Sequence, residues 1–327
     1  MEKVLVTRQI SDDALALIRN SGYEVRVYTE RKNISQDELI KMCEGHAGLL
    51  SVGPNKIDER FLSACPQLKG IALMSVGFDK VDLNAANKHR IPISNTPDVL
   101  SEATADTAFL LMLSVARNAF YMHKSIERGE WNFFDPMQNL GQELYGKTLG
   151  ILGLGRIGLE MAKKAKTAYN MDIIYHNRNR NEQAEKELDA RYLSFDELLQ
   201  QSDVVSVHVN LTEETKGLFD MEAFAKMKPN AIFINTARGA IHNEVDLLSA
   251  LQNGTIWGAG LDVTNPEPMD RNNPLLNMEN VCILPHIGSA TKETREKMAM
   301  MAAENIVAAL KSERMPQVIN AEVYESL

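Results

Sequence analysis

Three short segments in the last third of the sequence each place an ionisable side chain just past an apolar, strand-like run. Arg238 follows Ile234-Asn235-Thr236-Ala237, Glu267 stands between Pro266 and Pro268 shortly after Gly260-Leu261-Asp262-Val263, and His286 lies in Leu284-Pro285-His286-Ile287-Gly288-Ser289-Ala290. An Arg fork grips a carboxylate through paired, charge-assisted hydrogen bonds. Imidazole, which titrates near neutral pH, is the natural proton donor and acceptor, and a carboxylate beside it aims the ring and stabilises its charged form. Taken singly, each residue has a plain structural reading: Arg238 as the partner of a helix carboxylate, Glu267 as a rigid loop residue. His46, His89, His123, His208 and His242 are read as surface or core histidines.

A fourth segment supplies what these three lack. After the apolar run 148–152 comes Gly153-Leu154-Gly155-Arg156-Ile157-Gly158, followed by an amphipathic stretch containing Ala162. This is G-x-G-x-x-G between a strand and a helix: the first Gly permits the turn, the second lets backbone approach a pyrophosphate, and the third lets helix and strand pack closely. The helix N-terminus then offers free N–H groups to the phosphates. About 20 residues on, the acidic residue that commonly binds an adenosine ribose is missing. Tyr175-His176-Asn177-Arg178-Asn179-Arg180 stands there instead, and its donors and guanidinium groups favour a 2′-phosphate, hence NADPH, with NADH as second choice. An anion anchor, a proton donor and a reduced nicotinamide are the requirements for reducing a 2-keto acid; no metal is required.

The elements that must position these groups form two alternating series. Strands are expected at 4–6, 25–28, 49–52, 71–74 and 91–93, and again at 148–152, 172–175, 204–207, 231–234, 257–261 and 281–284. Ser35 with Glu38 and Ser194 with Glu197 have capping-box spacing. One long helix is expected over 101–128 and another over 291–311. The alternation predicts α/β architecture with two doubly wound parallel-sheet domains. Residues 99–287 form the dinucleotide-binding domain, inserted in a flavodoxin-like substrate domain of residues 1–98 with 288–327.

The chain has 327 residues, 44% of them hydrophobic, enough for two cores. A net charge of -9 argues against a nucleic-acid partner. Neither a signal peptide nor an apolar run long enough for a membrane is evident. Three widely separated cysteines, Cys43, Cys65 and Cys282, fit neither a disulfide framework nor zinc spacing and suit a reducing cytoplasm.

The segments 235–239, 260–263 with Glu267-Pro268, and 285–291, together with the 153–158 turn, resemble the signature segments of the D-isomer-specific 2-hydroxyacid dehydrogenases in the family's order, and the likeness runs through nearly the whole chain. The resemblance implies that Arg238 binds the substrate carboxylate and carbonyl, that His286 is the acid/base, and that Glu267 raises the pKa of that histidine. It further implies that Asp262 lies beside the nicotinamide carboxamide, that Thr236 and Ala237 line the same pocket, and that Gly288 belongs to the cofactor site. Met74-Ser75-Val76-Gly77-Phe78-Asp79 is similar to the family's substrate loop, whose amides at Val76 and Gly77 hold the carboxylate; a Gly-containing turn after a strand suits that task. Thr104 and Asp106 occupy positions where the family shows Thr and Glu near the cofactor.

Within the family the sequence is most similar to glyoxylate/hydroxypyruvate reductases and 2-ketogluconate reductases, through 175–180 and Pro266-Glu267-Pro268. Glyoxylate, hydroxypyruvate and 2-ketogluconate all stay open as substrates. Trp131, Phe133 and Phe134 follow the first long helix in a segment that forms a dimer arm in this family, so a homodimer is expected. Two other readings compete: an NADH-linked D-lactate dehydrogenase, and a dinucleotide-sensing, co-repressor-like binding protein on the same fold.

Overall fold

The computed structural model describes residues 1–325; the end of the tail, Ser326 and Leu327, lies outside the described residues. The chain divides into two compact units, one made of Met1–Leu100 with the stretch from Ala290 onward, the other of Ser101–Ser289.

In the first unit strand and helix alternate: β1 (Lys3–Val6), α1 (Asp12–Asn20), β2 (Glu24–Val27), α2 (Gln36–Cys43), β3 (Gly48–Ser51), α3 (Glu59–Ala64), β4 (Gly70–Leu73), α4 (Leu83–Lys88) and β5 (Ile93–Ser94). The sheet order is β2-β1-β3-β4-β5 with every pairing parallel. This is the flavodoxin-like order, with its switch point between β1 and β3. β3 and β4 are buried throughout, as a parallel sheet covered on both faces requires. Ser35 and Glu38 make the capping box at the start of α2.

The second unit opens with α5 (Ser101–Ala116) and α6 (Ala119–Glu127). A single helix was expected here. It breaks because Asn118 adopts left-handed backbone, φ 50°, which Asn tolerates better than most residues. Then come β6 (Thr148–Leu152), α7 (Arg156–Tyr169), β7 (Asp172–His176), α8 (Glu182–Leu188), β8 (Arg191–Tyr192), α9 (Phe195–Gln201), β9 (Val204–Val207), α10 (Met221–Lys226), β10 (Ile232–Asn235), α11 (Glu244–Gln252), β11 (Gly258–Leu261) and β12 (Val281–Ile283). The parallel sheet runs β12-β11-β10-β9-β6-β7-β8, the Rossmann order extended by one strand, with the switch point between β6 and β9. Both doubly wound parallel sheets expected from the sequence are present. β8 was not anticipated, because two residues at a sheet edge carry too little pattern. Ser194 and Glu197 cap α9 as their spacing indicates.

The last helix, α12 (Lys292–Leu310), is capped by the Thr291 hydroxyl, which accepts from Thr294 N–H, and belongs to the first unit. No helix among the described residues is long and apolar enough to cross a membrane.

Candidate active site

The glycine turn sits at the C-terminal end of β6, beside the switch point. Its three glycines do three different things. Gly153 has φ +95°, and a Cβ there would come within 2.8 Å of the His208 carbonyl. Gly158 packs so closely that a Cβ would lie 2.3 Å from Gly153 O. Gly155, the N-cap of α7, has nothing within 4 Å of that position, so backbone faces open space where a pyrophosphate can approach. The first turn of α7 carries no acidic residue, and the opening amides of a helix have no intrahelical acceptor, which suits them to an anion. The residues fit a dinucleotide.

Two asparagines shape this turn. Asn177, just past β7, accepts from Leu154 N–H at 2.6 Å, and Asn181 Nδ2 donates to Leu154 O at 3.0 Å. The sequence suggested Asn177 as a cofactor donor; its side-chain oxygen is engaged by the turn. The two arginines also part company. Arg180 is held by Glu185 in a two-point pair, Nε to Oε1 at 3.0 Å and Nη2 to Oε2 at 2.6 Å. Arg178 is exposed, and no described residue pairs with it.

At the ends of β10, β11 and β12 the ionisable residues converge. His286 Nδ1 lies 2.5 Å from Glu267 Oε1. A carboxylate can only accept, so Nδ1 carries the proton and Nε2 is left for chemistry. His286 has φ +55°, unusual for a side-chain-bearing residue. The next two amides explain how it is held: Ile287 N–H and Gly288 N–H donate to Asp262 Oδ1 and Oδ2, both at 2.7 Å. Asp262 is 1% exposed, and burial pushes its carboxyl above the usual range despite these two N–H donors. Gly288 passes close to both Asp262 and buried Thr104, whose atoms lie 3.0 and 3.2 Å from where its Cβ would be. Thr104, Asp262, Gly288, Glu267 and His286 thus form one structural group. Asp106 instead pairs with Lys164 at 2.9 Å.

The Arg238 turn is organised from below by Asn235, fully buried at the end of β10. Its Oδ1 accepts from Ala237 N–H at 2.9 Å, and its Nδ2 donates to Arg238 O at 2.9 Å and toward His242 Nδ1 at 3.1 Å. Arg238 Nη1 donates to Ala237 O at 2.7 Å, which orients the fork. Thr236 Oγ1 is buried with no partner among the described residues, an orphan that a bound ligand would satisfy. The roles of Asn235 and Asp262 as turn holders were not read from the sequence, although a polar residue ending a buried strand is a signal that was available.

Gly239 lets this turn lie against the next one, since a Cβ there would be 2.0 Å from Thr264 O and 2.2 Å from Thr264 C. Both are backbone atoms and cannot rotate away. Gly239→Ala is therefore expected to cost about 3 kcal/mol through overpacking, measured by urea unfolding; a loss under about 0.5 kcal/mol would mean that the turns separate easily.

His242 supplies a pH signature. It is 2% exposed, its Nε2 has no partner among the described residues, and burial lowers its pKa to about 4 from 6.5. Above pH 6.5 both folded and unfolded chains hold it neutral and it adds nothing. Between 6.5 and 4 the unfolded chain takes the proton first, so stability falls as pH falls, by about 2 kcal/mol at pH 5. The difference in unfolding free energy between pH 7 and pH 5 should shrink by that amount in His242→Asn, and an unchanged difference would show that the ring protonates in the fold.

In the first unit, the loop after β4 presents the amides of Val76 and Gly77. Ser75 Oγ donates to Gly77 O at 2.8 Å and Asn95 Nδ2 to Val76 O at 2.8 Å. The carbonyls are taken up while the two half-buried N–H groups meet no acceptor among the described residues, an arrangement suited to an anion.

Comparisons with known proteins agree with this geometry. Residues 109–288 match the model of the D-isomer specific 2-hydroxyacid dehydrogenase, NAD binding domain. The chain is 42% identical to the glyoxylate reductase of Thermococcus litoralis over 99% of its own length and 98% of that protein's. It is 42% identical to glyoxylate/hydroxypyruvate reductase B of Escherichia fergusonii, covering 90% and 92%. The structure of the NADPH-dependent glyoxylate/hydroxypyruvate reductase of Sinorhizobium meliloti, in complex with NADP and malonate, superposes with a TM-score of 0.84 at 30% identity, covering 98% and 97%. With a Rossmann turn open at Gly155, a hydrogen-bonded His286–Glu267 pair at the strand ends, and such relatives along its whole length, the chain belongs to the D-isomer-specific 2-hydroxyacid dehydrogenases, oxidoreductases that work with a nicotinamide dinucleotide.

Proposed function

We propose that this protein reduces glyoxylate, hydroxypyruvate or 2-ketogluconate to the 2-hydroxy acid, of D configuration where the product is chiral, with NADPH, using Arg238, Glu267 and His286. The observation that carries the reading is the 2.5 Å contact between His286 Nδ1 and Glu267 Oε1, which leaves His286 Nε2 as a single defined proton-transfer atom. The nicotinamide, when bound, supplies the hydride to the carbonyl carbon. His286 Nε2 gives its proton to the carbonyl oxygen, which becomes the hydroxyl. Glu267 keeps the ring oriented through that transfer. Arg238 grips the carboxylate and polarises the carbonyl, and the reading keeps residues 1–98 with 288–327, where the amides of Val76 and Gly77 suit an anion, as the substrate-binding domain.

For the coenzyme, the reading assigns the pyrophosphate to Gly153, Gly155, Arg156, Ile157 and Gly158, the 2′-phosphate to Arg178, and the nicotinamide end to Thr104, Thr236, Ala237, Asp262 and Gly288. Preference for NADPH over NADH rests on Arg178, exposed and without a partner among the described residues, and on the missing acid at the end of β7, and it is supported by the likeness to the NADPH-dependent relative of Sinorhizobium meliloti. The segment between α6 and β6 exposes Trp131 at 72%, Phe133 at 69% and Phe134 at 85%. Such an apolar cluster needs a cover, and we assign it to the partner in a homodimer.

The test is loss of reduced-nicotinamide absorbance with the three keto acids and with pyruvate, each against NADPH and NADH, together with sedimentation of the free protein. Turnover should be fastest with NADPH, and the sedimenting species should be a dimer. Faster turnover with NADH on pyruvate would instead identify a D-lactate dehydrogenase, and dinucleotide binding without turnover a sensing protein.

A further inference from the structure

The two arginines after β7 share a segment and a charge, but not an environment. Arg178 has no partner among the described residues, whereas Arg180 is clamped by both oxygens of Glu185. Glu185 does not depend on that pair for its place. Tyr175, fully buried on β7, donates its hydroxyl to Glu185 Oε1 at 2.5 Å and accepts from Asn181 N–H at 2.8 Å. The carboxylate is thus anchored to the core side, and the arginine comes to it. Arg180 also reaches over the ring of Tyr192, 5.9 Å from the centroid. It lines a hollow of about 360 Å³ with Glu182, Glu185, Lys186, Asp189 and Ala190, which Arg178 does not line. Three carboxylates outnumber two cations there, so a phosphate is repelled from it.

We infer that Glu185 is a positioning residue that sets coenzyme selectivity: by holding Arg180 in the two-point pair it leaves the 2′-phosphate to Arg178 alone and so limits the discrimination of NADPH from NADH. The inference rests on the proposed assignment of Arg178 to the 2′-phosphate. Its physical content is the release of a guanidinium: with Glu185 ionised Arg180 is held in the two-point pair, and with Glu185 neutral Arg180 is free to join Arg178 at the phosphate.

Calorimetry with 2′,5′-ADP and AMP, which differ by the 2′-phosphate, reads this without catalysis, and fluorescence titration with NADPH and NADH repeats it on the whole coenzyme. Glu185→Gln keeps an acceptor for Tyr175 while removing the charge, and should tighten 2′,5′-ADP about fivefold with AMP little changed. Arg178→Ala should weaken 2′,5′-ADP about tenfold. Arg180→Ala in the parent should change it less than about twofold, and the double variant R180A/E185Q should return to the Arg180→Ala value, because the effect of Glu185 runs through Arg180. Glu185→Asp, which restores the carboxylate, should restore parent selectivity. If Glu185→Gln left the 2′,5′-ADP to AMP ratio unchanged while Arg178→Ala lowered it, or if Arg180→Ala cost as much as Arg178→Ala, the inference would be overturned. An Arg178→Ala variant with unaltered affinity would remove the 2′-phosphate assignment itself, a separate and recognisable failure.

Discussion

His286→Ala is expected to lower kcat by roughly a thousandfold while leaving NADPH affinity nearly unchanged. The size follows from the proposed role of His286, since a positioned general acid is worth about two to four orders of magnitude. The geometry makes the loss of acid chemistry separable from loss of structure. His286 is half-exposed at the end of β12, and its backbone is held by the Ile287 and Gly288 amides donating to Asp262 rather than by its own ring. Alanine leaves both of those hydrogen bonds possible. Stopped-flow reduction and coenzyme fluorescence titration would report the two quantities independently. A kcat within about tenfold of the parent would assign the proton to another donor. A matching loss of coenzyme affinity would mean instead that the ring holds the 285–289 loop together, and the acid role would then need Glu267→Gln to be judged.

The sequence carried the architecture well because parallel strands buried on both faces are written as short, mostly apolar runs, and β3, β4, β9 and β10 all show that burial. Capping boxes were legible because they are contacts three residues apart. The break at Asn118 was not, since residues compatible with a helix stand on either side of one left-handed residue. In the site, the residue types named from the sequence fall together around the ends of β10, β11 and β12, but what holds them does not show in a linear reading. Asn235 reaches three residues along its own turn, and Asp262 reaches 26 residues to Gly288. The difference between Arg178 and Arg180 is of the same kind, because it depends on Glu185 arriving from α8.

For Arg238→Lys, the expectation is a fall in kcat/KM of about two orders of magnitude for every 2-keto acid, with a rise in KM. Charge is conserved, so the loss isolates geometry: the guanidinium offers a planar fork that meets both oxygens of a carboxylate, and an ammonium offers a point. The fold invests in aiming that fork. Asn235 ties down the amide of Ala237 and the carbonyl of Arg238, and Arg238 Nη1 bonds Ala237 O, so three hydrogen bonds fix the turn and the direction of the side chain. Lysine can follow the same backbone, but it cannot reproduce the bond to Ala237 O and present two further parallel donors at once. Steady-state kinetics with glyoxylate should therefore show the variant impaired in KM and kcat together, the pattern of an anchor that also polarises the carbonyl. A variant impaired in KM alone would confine Arg238 to binding. One that kept kcat/KM within about threefold would show that a positive charge near the turn suffices.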